Sequence, residues 1–159
     1  FQSVIESAKS MVIDADGLNL LAASPSYSDN RVLTPHPGEA ARLLSCSTAD
    51  IQQDRFTAAL AIQAKYGSVA IVKGAGTVIA SKDGLSVANT GNPGMASGGM
   101  GDVLAGVIGG LLAQGLSLQQ AAQQGVYIHG LAADQAAQHG GERGLLASDL
   151  MSYLRILVN

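Results

Sequence analysis

Apolar residues in this chain alternate between short runs of strand length and longer stripes at helical spacing. Met11-Val12-Ile13-Asp14 and Val32-Leu33-Thr34 are runs of the first kind, and between them residues 17–23 place Leu18, Leu20 and Leu21 as a helix would. Pro37 suits the first turn of a further helix, with Glu39 near its positive end and residues 40–44 as its body. The Ser47-x-x-Asp50 spacing is a capping signal that predicts one helix as far as Tyr66, stopped by Gly67. Residues 69–72, 77–80 and 85–88 read as three strands, separated by Gly74-Ala75-Gly76 and by Asp83-Gly84, a hairpin signal. Val103, Leu104, Val107, Ile108, Leu111 and Leu112 form one aliphatic helical face, while Ala105, Gly106, Gly109, Gly110 and Ala113 form a second face of small residues. Glycine costs about 1 kcal/mol inside a helix, so this second face is expected to pack closely on a strand or another helix. Ser117 with Gln120 caps a helix to about Gln138, and a last helix is predicted over residues 147–157.

Strands alternating with helices predict an α/β fold whose mainly parallel sheet is covered on both faces, with ligands at the carboxyl ends of the strands. Asp14-Ala15-Asp16, residues 34–39, Lys73-Gly74 and residues 89–102 all follow strands, which places them on one rim. With 159 residues and 47% hydrophobic content the chain is expected to be one domain, 1–159, around one core. A net charge of −3, 4% aromatics and no Trp argue against a general nucleic-acid or anionic-membrane surface, so a bound phosphate must be held by local geometry. Cys46 is the lone cysteine, which excludes an internal disulfide and a cysteine metal cluster and fits a reducing compartment. The apolar run 103–113 is too short to span a bilayer, no signal sequence opens the chain, and the cytoplasm is the expected location. Because the chain opens Phe1-Gln2-Ser3 without Met, an upstream part is expected to lie outside it.

The segment Asn89-Thr90-Gly91-Asn92-Pro93-Gly94-Met95-Ala96-Ser97-Gly98-Gly99-Met100-Gly101-Asp102 carries the strongest chemical signal. Five glycines and a proline build no regular element; they let backbone N–H groups approach a ligand closely. The helix that follows offers free N–H groups and the positive end of its dipole, so an anion is the natural guest. Asp102 at that mouth would repel a phosphate unless it served another purpose, and it is the candidate base.

Four ordered motifs, residues 12–21, 33–39, 72–77 and 91–106, resemble the ADP-dependent NAD(P)H-hydrate dehydratase family, and Gly144-Leu145-Leu146-Ala147-Ser148-Asp149-Leu150 is similar to that family's ending. The resemblance covers nearly the whole chain but only the later part of the family's domain; the first strands and an early glycine-rich substrate loop have no counterpart. Gly17 stands where Ala is usual. The resemblance implies a three-layer α/β/α ribokinase-like fold, incomplete at its N-terminal side, and, as in many bacterial members, an epimerase domain upstream.

By the same resemblance the substrate is the S-form hydrate of NADH or NADPH. ADP phosphorylates its ring hydroxyl with the help of Mg²⁺, phosphate is eliminated, and NAD(P)H, AMP and phosphate leave. Gly98, Gly99 and Gly101 would form an anion hole and Asp102 would accept the hydroxyl proton. Lys73, Gly74, Ala75, Gly76 and Thr77, with Gly101, would hold the nucleotide, and His36 and Asp102 would touch the hydrated nicotinamide nucleotide. Asp14, Asp16 and Glu39 are further acids on the rim, where capping is favoured for Asp16 and the role of Glu39 stays open; no metal ligand set is assigned. His129 and His139 read as ordinary helix residues. Two other readings are an ATP-dependent ribokinase-like kinase of small molecules and an inactive nucleotide-binding fragment. The expected partners are the small-molecule substrate and further copies of the chain, with neither nucleic acid nor membrane.

Overall fold

The computed structural model describes residues 1–7 and 9–159. In chain order the elements are α1 (Gln2–Ile5), β1 (Met11–Ile13), α2 (Asp16–Ala23), β2 (Arg31–Leu33), α3 (Pro37–Leu44), α4 (Thr48–Gln53), α5 (Arg55–Tyr66), β3 (Val69–Val72), β4 (Val78–Ser81), β5 (Gly84–Val87), α6 (Met100–Ala113), α7 (Leu118–Gly140) and α8 (Leu150–Leu157). Short 3-10 turns at Pro93–Met95 and Ala147–Asp149 complete them.

The five strands form one sheet in the order β1-β2-β3-β4-β5. The first three are parallel, pairing Val12 with Val32 and Leu33 with Ala70, and the last two are an antiparallel extension built on the Asp83-Gly84 hairpin. Period-two alternation splits β3 between two cores, because successive side chains leave a strand on opposite faces. Ala70 and Val72 pack with Ile13, Leu33, Val78 and Ala80 under α2, α3 and α5. Val69 and Ile71 pack with Val32, Ile79 and the Leu104, Ile108 and Leu111 face of α6, and with Ala121, Ala122 and Val126 of α7. A third cluster joins α6, α7 and α8 through Met100, Ala132, Ala133, Leu150 and Leu154. The sheet is thus covered on both faces, as the uninterrupted burial of β3 requires.

The structure corrects three local expectations. The helix predicted from residue 47 to Tyr66 is two helices, because Asp54 leaves helical backbone (φ −147°, ψ 87°) and its carboxylate caps the second by accepting from the Thr57 N–H at 3.0 Å. Asp16 does not cap α2; the cap position is Ala15, at a positive φ of 47° and with no side-chain cap bond. The glycines of the small face of α6 make no close packing of the expected kind: a Cβ on Gly106, Gly109 or Gly110 would meet nothing within 4 Å. Close packing between α6 and α7 comes from the other partner, where a Cβ on Gly125 of α7 would stand 2.6 Å from Cγ1 of Ile108.

Candidate active site

The carboxyl ends of β1, β2, β3 and β5 open on one rim, where residues 14–16, 34–39, 73–77 and 88–102 meet as the chain order predicted. The parallel ladder runs on past the strands, with the Thr34 N–H donating to Ile13 O at 3.2 Å and the Lys73 N–H to Pro35 O at 2.9 Å. This brings Asp14, Thr34 and Lys73 side by side.

Lys73 lies at the centre. Its Nζ donates to Asp14 Oδ1 at 2.9 Å and stands 4.0 Å from Glu39 Oε2. Its position against α6 is fixed by Gly101, where a Cβ would lie 3.3 Å from Lys73 Nζ and 3.4 Å from Asp14 Oδ2. The ammonium therefore sits against the first turn of α6. That turn starts from Gly99 at φ +84°, a left-handed conformation suited to glycine, and no side chain caps it. Of the other helices, α3, α4, α5 and α7 carry a side-chain cap, and α1, α2 and α8 do not. The first N–H groups of α6 donate to no side-chain cap and could take an anion, with the dipole behind them and a cation beside them. Gly98 has open space where its Cβ would stand, and Asp102 is exposed in the same turn.

His36 is the cap of α3, immediately before the Pro37 that opens this helix. Its Nδ1 accepts from the Gly38 N–H at 2.9 Å and the Glu39 N–H at 3.4 Å, while Glu39 Oε2 accepts from the His36 N–H at 2.8 Å. With Nδ1 accepting, the ring N–H is the one at Nε2, 3.5 Å from Glu39 Oε1. The ring is half exposed, so the capped geometry also presents this N–H to the rim. Glu39 is buried, closing the capping box and facing Lys73.

The 73–77 loop is a tight connection between β3 and β4. Thr77 Oγ1 donates to Gly74 O at 3.0 Å, and Gly74 and Gly76 adopt positive φ of 152° and 64°. Arg55, which the sequence reading passed over, donates from Nη2 to Ala75 O, and its Nη1 would be 2.5 Å from a Cβ on Gly74. Nothing in a single helix-start arginine announces that contact, because it spans 20 positions.

Asp134 draws no attention in the sequence, and His129 reads there as an ordinary helix residue. Asp134 on α7 accepts from the Gly91 N–H and from Asn92 Nδ2, both at 2.9 Å. His129, one turn earlier, is 6% exposed, and its Nε2 has no hydrogen-bond partner among the described residues. Burial pushes its pKa down to about 4; a hydrogen bond with the Met100 backbone opposes this and the Lys73 charge adds to it. The imidazole is therefore neutral at pH 7.

Among the described residues no group of three or more His, Cys, Asp and Glu side chains gathers to hold a metal. Asp14 and Glu39 already face Lys73. No helix of the described residues is long and apolar enough to cross a membrane.

The sequence and the fold of this chain match known proteins. The chain is 57% identical over 157 residues to the bifunctional NAD(P)H-hydrate repair enzyme Nnr of Coxiella burnetii, covering 98% of this chain and 32% of that protein. It is 43% identical over 159 residues to the ADP-dependent (S)-NAD(P)H-hydrate dehydratase of Neisseria meningitidis, covering 95% of this chain and 54% of that one. A crystal structure of the ADP/ATP-dependent NAD(P)H-hydrate dehydratase of Bacillus subtilis, co-crystallized with ATP/Mg²⁺, superposes with a TM-score of 0.83 at 33% identity, over 92% of this chain and 53% of that one. The chain thus spans about a third of the bifunctional relative and about half of the other two, and its fold is ribokinase-like. A sequence model for NAD(P)H-hydrate dehydratase matches residues 1–155, and the chain belongs to that family.

Proposed function

We propose that this chain forms the phosphoryl-transfer site of an ADP-dependent dehydratase that acts on the S-form hydrate of NADH or NADPH. The observation that carries the reading is the uncapped first turn of α6 with the Lys73 ammonium set against Gly101. Phosphoryl transfer asks for positioned positive charge and N–H donors more than for a strong base. The N–H groups of Gly98, Gly99 and Gly101 stabilise the oxygens of the moving phosphoryl group. Lys73 holds the nucleotide's phosphates from the strand side, and the 73–77 loop receives the nucleotide. Asp102 accepts the proton of the ring hydroxyl as its oxygen attacks the β-phosphorus of ADP, and AMP departs. The C–O bond then breaks, inorganic phosphate leaves, and loss of a proton from the neighbouring ring carbon to solvent restores the dihydronicotinamide. His36 offers its Nε2–H to the hydrated nucleotide.

The donor set does not form a protein cage for Mg²⁺, since Asp14 and Glu39 are engaged by Lys73. Magnesium usually binds through substrate phosphates and one or two carboxylates, so no step is assigned to it here.

The test is turnover by the full-length protein of enzymatically hydrated NADH with ADP or ATP, followed at 340 nm. NADH should reappear with one AMP and one phosphate formed per ADP consumed. Asp102→Asn should lower kcat at least 10²-fold, within the range of general-base catalysis, with ADP affinity by calorimetry nearly unchanged. Turnover of that variant within about tenfold of wild type would remove Asp102 from the base role. Phosphorylation of another small molecule without recovery of NADH would make the protein a kinase.

A further inference from the structure

The phosphate loop does not hold its own shape. Gly91 stands at φ +103°, and its N–H donates to Asp134 Oδ2 while the neighbouring Asn92 amide donates to Asp134 Oδ1, each at 2.9 Å. The same Asn92 side chain uses its oxygen to accept from the Gly94 N–H at 3.0 Å, starting the 3-10 turn at Pro93–Met95. One carboxylate on α7 is thereby linked through one amide to the turn that leads toward Gly98. Gly130, one turn before Asp134, brings the backbones together: a Cβ there would run into Thr90 Oγ1 and lie 2.9 Å from Thr90 C.

We propose that Asp134 is a positioning residue of the phosphate loop: by binding the Gly91 N–H and the Asn92 amide together, it sets where the first turn of α6 meets the transferring phosphoryl group. This rests on the phosphoryl-transfer reading of the site. Asp134 touches no reacting atom. It acts through Asn92, and a carboxylate is required because both of its partners are donors. Charge-assisted bonds of this kind are roughly twice as strong as neutral ones, which suits a loop whose glycines otherwise leave it free.

The donor pattern supplies the test, an exchange of the two side chains in the full-length protein. In Asp134→Asn an amide faces the Asn92 amide and one bond must fail; in Asn92→Asp two carboxylates face each other. In the double variant the amide oxygen now at position 134 accepts from the Gly91 N–H, and the amide nitrogen beside it donates to the carboxylate now at position 92. That carboxylate still accepts from the Gly94 N–H. Every bond is restored at unchanged net charge. Each single variant should lower kcat for the hydrated cofactor by about 10- to 100-fold, the scale expected from misplacing reacting groups, while KM for ADP, which the 73–77 loop also holds, changes by a clearly smaller factor than kcat. The double variant should recover kcat to within about threefold of wild type.

Amide hydrogen exchange over residues 89–101 is the readout that does not depend on activity: faster in both single variants, restored in the double. Unchanged exchange in Asp134→Asn, equal losses in kcat and ADP affinity, or a double variant no better than the worse single one would overturn the proposal. If wild-type protein does not turn over the hydrate, the functional reading fails by itself, and the exchange measurements still decide whether Asp134 orders the loop.

Discussion

The 73–77 loop closes mainly through its own residues, Thr77 Oγ1 bonding to Gly74 O three positions away, whereas the 89–102 loop is held by Asp134 and Leu145, which lie 42 to 48 positions further along the chain. Ser97 Oγ donates to Leu145 O at 3.0 Å, and a Cβ on Gly99 would be 3.2 Å from Ala147 Cβ. The short loop needs only its two strands and Arg55. The long loop needs α7 and the segment before α8 to be in place first. In the proposed reading both bring glycine backbone to an anion, but only the long one couples the site to the helical layer behind it, and damage to that layer should be felt there first.

The largest effect that sharpens this contrast is acid sensitivity. His129 is buried and neutral beside the start of α6, with a pKa pushed down to about 4 from the ordinary 6.5. Between those values the unfolded chain binds a proton that the folded chain does not, so stability is full above about pH 6.5, falls as the pH drops toward 4, and levels off below that. The loss should be on the order of 3 kcal/mol. Urea unfolding of wild type and His129→Gln at pH 7 and pH 4.5 checks it: the wild type should lose the larger part, and hydrogen exchange should quicken over residues 89–101 before residues 73–77. Equal pH dependence in both proteins would show that His129 is not the responsive group.

A smaller effect breaks the other loop alone. Gly74→Val and Gly76→Val place a β-branched residue at positive φ, where strain costs about 1–3 kcal/mol, and at Gly74 the new Cβ would run into the Arg55 guanidinium. KM for ADP should rise about tenfold or more, the equivalent of 1.4 kcal/mol, with KM for the hydrated cofactor nearly unchanged. Equal rises for both ligands would make this loop a structural hairpin and erase its distinction from the long one.

The same contrast explains what the sequence made legible. Strands, most helices, the rim and both glycine loops were readable because each signal is local: apolar periodicity, a capping spacing, a Gly-containing turn. Lys73 and Asp102 stand out as candidates because they adjoin those loops. Arg55, His129 and Asp134 do not, since each acts across 20 or more positions and looks, in sequence, like any polar residue on a helix. The break at Asp54 was hidden because Asp ranks near other polar residues in helix propensity and gives no sign that its side chain will cap a new helix. His36 shows the converse: two prolines marked its place on the rim, but its capping bonds involve a ring nitrogen, and Ser, Thr, Asp and Asn are the expected caps.

The smallest expected effect concerns the glycines of α6 and α7, where sequence gives identical residues and structure gives opposite surroundings. A Cβ on Gly106, Gly109 or Gly110 meets nothing within 4 Å, so alanine there removes a helix penalty without adding a clash. Each such replacement should stabilise the 159-residue chain by up to about 1 kcal/mol. For a domain of this size that is a rise of about 2–4 °C in Tm. Gly125→Ala should do the reverse by a similar or somewhat larger amount, about 1–3 kcal/mol, because its Cβ would press on Ile108, whose β-branched side chain is stiff and fully buried. Thermal melting of the four single variants decides the matter. If Gly106→Ala also lowers Tm, the open face of α6 is covered in solution, and the comparison moves to which surface covers it. If Gly125→Ala is neutral, α7 can shift away from α6 without loss, and the helical layer is a softer support for the phosphate loop than its close contacts imply.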